Sequence, residues 1–193
     1  MAKHRFPLKP TYNSPVILTF ALAACFIMAV DGWLGGRFTP TFFATYPDFR
    51  LTSPLFYFQL ISHTLGHRNW AHLTANFSVI LLIGPILEEK YGSANLIKMM
   101  LITALVTGLL NAALFTTGLL GASGLAFMMI LLASFTNHRE GEVPLTFLLI
   151  LVLFLAKEVV NAFSQDDISQ FAHIIGGLCG SLFGFIRGPK HSR

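Results

Sequence analysis

Six apolar segments, separated by polar or mixed connecting stretches, limit what this chain can fold into more than any other feature. They cover residues 15–34, 71–87, 94–116, 122–135, 143–163 and 169–186. Most of them approach the ~20 apolar residues that an α-helix needs to cross a bilayer. Only 11% of the residues are charged, whereas a soluble domain has about a quarter. The sequence therefore predicts an all-α, polytopic membrane protein built as a bundle of six transmembrane helices.

The remaining segments complete this outline. Residues 1–14 and 188–193 are polar and basic, and they predict short tails on either side of a six-helix domain over 15–187. We interpret the first apolar run as a span and not a cleavable signal peptide, because it lacks a small-x-small cleavage site. Residues 35–70 mix many aromatic residues with proline and charge, which predicts an outer loop half sunk in the headgroup region.

The positions of the basic residues predict the orientation. If both termini face the cytoplasm, nine Lys and Arg lie inside and four lie outside. The inner set is Lys3, Arg5, Lys9, Lys90, Lys98, Arg139, Arg187, Lys190 and Arg193, and the outer set is Arg37, Arg50, Arg68 and Lys157. The positive-inside rule therefore favours cytoplasmic termini. A basic excess of this kind suits a surface of anionic lipid better than nucleic acid.

The fourth apolar segment is short and begins with Gly121-Ala-Ser123-Gly124. A helix over 122–135 is about 21 Å long, whereas a bilayer core is about 30 Å thick. Ser123 is therefore expected below the outer lipid surface, where a hydroxyl is costly unless it has a partner or a function. A Gly-x-Ser-x-Gly motif is absent because Leu125 stands at the second glycine position, which excludes an α/β-hydrolase.

The sixth segment carries the base that a nucleophilic serine needs. His173 shares one helix face with Gly176, Gly180 and Gly184. Small residues at this spacing let two membrane helices approach closely, which would bring the imidazole to the hydroxyl of Ser123. The alternative is that the glycines only pack and that the imidazole bonds a backbone carbonyl.

The residues around this pair predict how the base is held. Asp166 and Asp167 fall in a predicted loop over 161–170 and not in the sixth span, so the sequence favours a Ser–His dyad over a triad. Phe127 lies four residues after Ser123, on the same helix face, and its ring is expected to pack against the imidazole. Plain core packing explains Phe127 equally well.

Acyl transfer also needs hydrogen-bond donors for the oxyanion. His72 and Asn76 lie four apart on one face of the second span, and both side chains can donate. The backbone N–H of Ser123, at a helix N-terminus, is a third candidate donor. A structural hydrogen bond from the second span to a neighbouring helix is the alternative.

The remaining titratable residues do not predict a metal or cofactor site. His63 and His67 lie four apart, but no acid or cysteine completes a ligand set near them. We expect them to have interfacial structural roles and to bond loop backbone. Cys25 and Cys179 fall inside apolar spans and are expected to pack there. Lys157 and Glu158 are expected to be interface anchors.

Three motifs in this order resemble the rhomboid family of intramembrane serine proteases. They are His72-Leu-Thr-Ala-Asn76, Gly121-Ala-Ser123-Gly124 and Ala172-His173-Ile-Ile-Gly176 with Gly180, and Glu88 with Gly92-Ser93 adds to them. The resemblance covers about residues 56–186. It implies Ser123 as nucleophile, His173 as base, and His72, Asn76 and the Ser123 N–H as oxyanion donors, in a six-helix bundle with a water-filled cavity open to the outer face.

The resemblance also implies a setting and substrates. It implies a multi-pass protein of a bacterial inner membrane that cleaves single-pass membrane proteins near the outer face, where a Gly- or Pro-weakened helix exposes its peptide bonds. The chain departs from the family in two places: Phe58-Gln59 stands where the family often has Trp-Arg, and Phe127 stands where it often has Tyr. Neither change removes a reacting group, so we expect activity.

Two other functions fit an integral membrane protein of this size. A catalytically inactive rhomboid-like protein that binds membrane clients is the main alternative, although every reacting group is present. A small transporter would require charged residues in mid-span and inverted repeats, and the sequence has neither.

Overall fold

The computed structural model describes residues 10–47, 49–136, 142–161 and 167–186. This part of the chain contains eight helices and no strand. The helices are α1 (Pro15–Trp33), α2 (Phe38–Phe42), α3 (Pro54–Ser62), α4 (Trp70–Tyr91), α5 (Ser93–Leu114), α6 (Ser123–Ala133), α7 (Leu145–Asn161) and α8 (Asp167–Ile186). The all-α membrane fold is confirmed. Most of the predicted tail over 1–14 and all of that over 188–193 lie outside the described residues.

Six of these helices, α1 and α4 to α8, match the six predicted spans in order. α1, α4 and α5 are long and apolar enough to cross a bilayer, and α6 and residues Gln170–Ile186 of α8 are shorter apolar helices. The protein is therefore an integral membrane protein. α6 has 11 residues, about 16 Å at 1.5 Å per residue, so its Ser123 end and its Ala133 end cannot both reach the surface of a bilayer.

The aromatic stretch over 35–70 folds into α2 and α3, which at 5 and 9 residues are too short to cross a bilayer. Its large side chains divide between two environments. Tyr57, Phe58 and Trp70 are exposed, whereas Phe43 and Phe56 are buried. A half-buried aromatic segment of this kind is typical of a membrane interface.

Gln59, at one of the two positions that depart from the rhomboid pattern, connects α3 to the segment before it. Its side-chain amide donates a hydrogen bond to the carbonyl of Thr41 at 2.9 Å. The backbone carbonyl of Gln59 accepts a hydrogen bond from the hydroxyl of Thr45 at 2.9 Å. Thr45 also pairs with Leu119 through two backbone hydrogen bonds. Gln59 therefore helps to attach the interfacial segment to the turn that precedes α6.

The first turn of α1 is capped by a side chain from α4. The carboxylate of Glu88 is buried and accepts hydrogen bonds from the backbone N–H groups of Val16 at 3.0 Å and Ile17 at 3.2 Å. The hydroxyl of Ser93 donates a third, at 2.7 Å. A carboxylate is favourable at a helix N-terminus because the N–H groups there lack partners within the helix. Glu88 thus joins the start of α1 to the end of α4.

α6 lies at the centre of the bundle. Most of its side chains, including Leu125, Met128 and Leu132, are fully buried on every side of the helix, as expected of a helix that is apolar all round. α8 packs along it, and α4 and α5 cover other faces. The central helix is therefore the one that carries Ser123.

The predicted loop over 161–170 begins where α7 ends, at Asn161, but α8 already begins at Asp167, so the last four residues of the predicted loop are helical. An acid therefore does lie in the helix that carries His173, six residues before it, because polar residues can occupy the first turn of a helix. The side chains of Asp167, Lys157 and Glu158, and all of Asp166, lie outside the described residues.

Candidate active site

Ser123 is the first residue of α6 and is partly exposed. The chain enters the helix through Gly121, whose φ of +126° favours glycine. This conformation turns the backbone sharply just before the helix. Ser123 is thereby held at a helix N-terminus, where backbone N–H groups are available to an anion.

Backbone N–H groups of this turn are held by two histidines. The N–H of Gly121 donates to the carbonyl of His63 at 2.9 Å, and the N–H of Ala122 donates to Nε2 of His67 at 3.3 Å. Burial lowers the pKa of His67 to about 4, so the imidazole is neutral at pH 7 and its Nε2 can accept. Together these bonds fix the backbone just before Ser123.

The side chains of His63 and His67 are only 2% and 1% exposed. The expected bond to loop backbone is present for His67, whereas His63 bonds the backbone of a helix. Nδ1 of His67 lies 3.3 Å from the carbonyl of Leu65, and Nε2 of His63 lies 3.1 Å from the carbonyl of Ala104 on α5. Buried imidazoles need such partners, and these connect the segment before α4 to α5 and α6.

α6 and α8 touch through their backbones at the level of Ser123. A Cβ on Gly124 would lie 3.2 Å from the carbonyl oxygen of Ala172. A Cβ on Gly176 would overlap the carbonyl oxygen of Gly124 and lie 2.7 Å from its carbonyl carbon. Only glycine permits such an approach. Ser123 is adjacent to Gly124, and His173 lies one turn before Gly176, so the two belong to facing turns.

The same close contact continues along α8. A Cβ on Gly180 would overlap the carbonyl of Met128, and one on Gly184 would overlap the ring of Phe135. Gly176, Gly180 and Gly184 therefore all face α6, the arrangement that their four-residue spacing predicts.

The ring of Phe127 lies against the imidazole of His173. Their centroids are 4.2 Å apart and their planes are inclined by 32°. An offset contact of this kind limits how far the imidazole can rotate. The structure therefore brings together the two rings that the sequence pairs on facing helices.

His72 and Asn76 on α4 face the turn that precedes Ser123. A Cβ on Gly121 would lie 2.9 Å from Nε2 of His72 and 3.5 Å from Nδ2 of Asn76. The amide nitrogen of Asn76 is buried and has no hydrogen-bond partner among the described residues. A buried donor without a partner is costly, and here it stands beside the candidate nucleophile.

The backbone at His72 is fixed by a helix cap. The side chain of Asn69, the N-cap of α4, accepts a hydrogen bond from the N–H of His72 at 2.8 Å. The His72 ring also packs edge-on against His67, with centroids 5.1 Å apart. The first turn of α4 is therefore rigidly placed beside Gly121.

The contributions of Gly121 and His67 are not predicted by the sequence analysis. Gly121 provides the room that His72 and Asn76 occupy, and His67 bonds the backbone of Ala122. The four-residue spacing of His63 and His67 shows only that they can share a helix face. The partners that connect them to α5 and α6 lie more than 40 residues along the chain.

A family model described as a Rhomboid domain matches residues 55–190, more than half of the chain. This chain belongs to the rhomboid family. It is 26% identical to "Rhomboid protease GlpG" of Haemophilus influenzae over 129 residues, which are 65% of this chain and 67% of that protein. It is 24% identical to "Rhomboid-like protein 11, chloroplastic" of Arabidopsis thaliana over 140 residues, which are 64% of this chain and 50% of that protein.

The matched region of this rhomboid includes every candidate site residue, from His72 to Gly184. It also includes α3 to α8, whereas α1 and α2 precede it. Glu88, inside the matched region, nevertheless caps α1. The helices that pack around α6 therefore lie in the matched region, and Glu88 connects α1 to them.

Proposed function

We propose that this rhomboid is a serine endopeptidase that cleaves transmembrane segments of other proteins within the membrane. The observation that carries the proposal is the backbone contact between Gly124 and Gly176. It places the helix that begins with Ser123 against the turn that carries His173, where a hydroxyl and an imidazole can react together.

In the proposed reaction, Nε2 or Nδ1 of His173 takes the proton of the Ser123 hydroxyl as Oγ attacks the scissile carbonyl carbon. The carbonyl oxygen becomes an oxyanion, which accepts hydrogen bonds from His72, Asn76 and the Ser123 N–H. Collapse breaks the peptide C–N bond, and the imidazolium gives its proton to the leaving amine. A water molecule, deprotonated by His173, then attacks the acyl carbon. The bond to Oγ breaks, and the imidazolium returns the proton to the Ser123 hydroxyl.

The oxyanion role of Asn76 and His72 is supported by their position beside Gly121. The amide of Asn76 is buried without a partner, so it can donate to a developing charge without first breaking another bond. Preorganised donors of this kind stabilise the transition state most effectively. The ring of Phe127 against His173 would orient the base.

The proposed substrates are single-pass membrane proteins whose helices are weakened near the outer face. A peptide bond inside a continuous helix is shielded by its own hydrogen bonds, so a segment with Gly or Pro should be cut first. The basic excess on the side of the two termini, nine Lys and Arg against four, supports cytoplasmic termini and an outer active site. The similarity to the protein of Haemophilus influenzae supports a bacterial inner membrane.

The test is cleavage of a membrane-tethered reporter by protein reconstituted in liposomes, with fluorophosphonate labelling in parallel. Ser123→Ala and His173→Ala should abolish cleavage, and Ser123→Ala should abolish labelling. Ser134→Ala is the matched control, because Ser134 ends the same helix and bonds the carbonyl of Leu131. A wild-type protein that neither cleaves nor takes the label would favour an inactive client-binding rhomboid.

A further inference from the structure

An apolar groove of about 740 Å³ lies between α1 and α5. Phe20 and Ala23 line it from α1, and Ile97 and Leu101 line it from α5. The segment around Ile61, at the end of α3, closes one end. A few hydroxyl groups, among them those of residues 19 and 62, are the polar part of an otherwise apolar lining.

The groove lies where hydrocarbon surrounds the protein. α1 and α5 are both long and apolar enough to cross the bilayer, so a cavity open between them faces lipid and not water. Its wall on α1 extends from Pro15 to Ala23, about 12 Å of helix. Its wall on α5 extends from Ser93 to Ala104, about 17 Å of helix. One leaflet of a bilayer core is about 15 Å deep, so the groove has the length of one leaflet.

The length of the groove decides between two membrane occupants. A transmembrane helix runs through the whole core of about 30 Å, whereas the groove covers about 12–17 Å of α1 and α5 and ends under α3. The groove is therefore too short for a substrate helix or a helix from a second copy. An extended hydrocarbon chain has the right length and width.

A second, polar cavity meets the groove at Pro15 and Ser93. Asn13 and Glu89 line it at the membrane surface where α1 begins and α4 ends. No Lys or Arg is among its described lining residues, and the exposed Lys90 lies outside that lining. The carboxylate of Glu89 and the C-terminal carbonyls of α4 favour a cation here, and the N-terminus of α5 at Ser93 favours the phosphate of the same headgroup.

We propose that the groove between α1 and α5 binds a phospholipid with an amine headgroup. One acyl chain fills the space under α3, and the ammonium group lies in the polar cavity beside Glu89. In this part of the bundle, α1 and α5 leave the space under α3 unfilled. The acyl chain fills that space and so supports α3. The site is separate from Ser123 and His173, and its ligand is recognised by chain length and headgroup charge.

The test is native mass spectrometry of protein taken from bilayers of equal phosphatidylethanolamine and phosphatidylglycerol into mild detergent. The wild type should retain one phospholipid, mainly phosphatidylethanolamine. Ala23→Trp should lower retention at least about tenfold, because each displaced methylene costs roughly a factor of four in affinity. Ala29→Trp, on an exposed position of the same helix outside the groove, should bind as the wild type does. Glu89→Gln should remove the headgroup preference.

Three outcomes would overturn the proposal. The first is equal lipid retention by the wild type and Ala23→Trp, and the second is equal retention of the two phospholipids by the wild type. The third is a wild type without bound lipid but with a second protein copy. Because the wild-type measurement alone can give the last two results, the test does not depend on Ala23→Trp folding. The readout is bound lipid, so it is also independent of proteolysis.

Discussion

Replacing Gly176 with alanine would force α6 and α8 apart beside the candidate active site. The new Cβ would lie 2.7 Å from the carbonyl carbon and 2.9 Å from the Cα of Gly124. Carbon atoms pack best at about 3.5–4.0 Å, so the helices must separate by roughly 1 Å. The obstacle is backbone and not a flexible side chain, and overpacking of this kind costs about 1–3 kcal/mol.

The effect on catalysis should exceed the effect on folding. A displacement of roughly 1 Å can lower a rate about 10²-fold because the reacting atoms are no longer aligned. We therefore expect Gly176→Ala to fold, to melt at a lower temperature in detergent, and to cleave a reconstituted reporter about 10²-fold more slowly than wild type. The measurements are circular dichroism melting and initial cleavage rates in liposomes.

Two other glycines serve as controls. Gly32 lies in α1 with nothing within 4 Å of an added Cβ, so Gly32→Ala should leave cleavage unchanged and stabilise the fold by roughly 0.4–1 kcal/mol. Gly180 contacts the carbonyl of Met128, about 6 Å further along α8, so Gly180→Ala should lower the melting temperature but slow cleavage less. Wild-type melting and wild-type cleavage by Gly176→Ala would refute this account of the helix contact.

Three further variants test separate parts of the structure. Asn76→Ala should lower kcat about 10²–10³-fold, as for loss of an oxyanion donor. The melting temperature should not fall, because the buried amide nitrogen of Asn76 has no described partner to lose. A lower melting temperature with unchanged kcat would assign Asn76 a structural role. Glu88→Ala should destabilise the fold by about 1.5–3 kcal/mol, measured by thermal unfolding, because the N–H groups of Val16 and Ile17 lose their acceptor. Burial lowers the pKa of His67 to about 4, so the folded state binds fewer protons than the unfolded state as pH falls from about 6.5 to 4, and stability falls through that window. His67→Gln should reduce this loss of stability at low pH. If the melting temperatures of His67→Gln and of the wild type depend on pH in the same way, the lowered pKa of His67 is contradicted.

The helices and the faces that meet are readable from the sequence because they depend on local spacing. The apolar run after Ser14 and the proline at position 15 predict where α1 begins. The spacing of Gly176, Gly180 and Gly184 predicts a close helix contact, and the partner is α6 as expected. Patterns of this kind need no knowledge of distant parts of the chain.

The supporting contacts of the candidate site are not readable in this way because their partners are distant in sequence. Nothing near His67 indicates that its Nε2 accepts a hydrogen bond from Ala122, 55 residues later. The need for glycine at position 121 becomes evident only when His72 is placed against it. The start of α8 at Asp167 was missed because a polar first turn resembles a loop.

The cap that Glu88 supplies to α1 has a consequence for biosynthesis. α1 leaves the ribosome before α4, but the carboxylate that its amides at residues 16 and 17 need is 72 and 71 residues further along. Until that length has been translated and α4 has inserted, the nascent first helix must keep these amides hydrated at the lipid boundary. Its final seating therefore waits for the fourth helix, so α1 is made early and docked late.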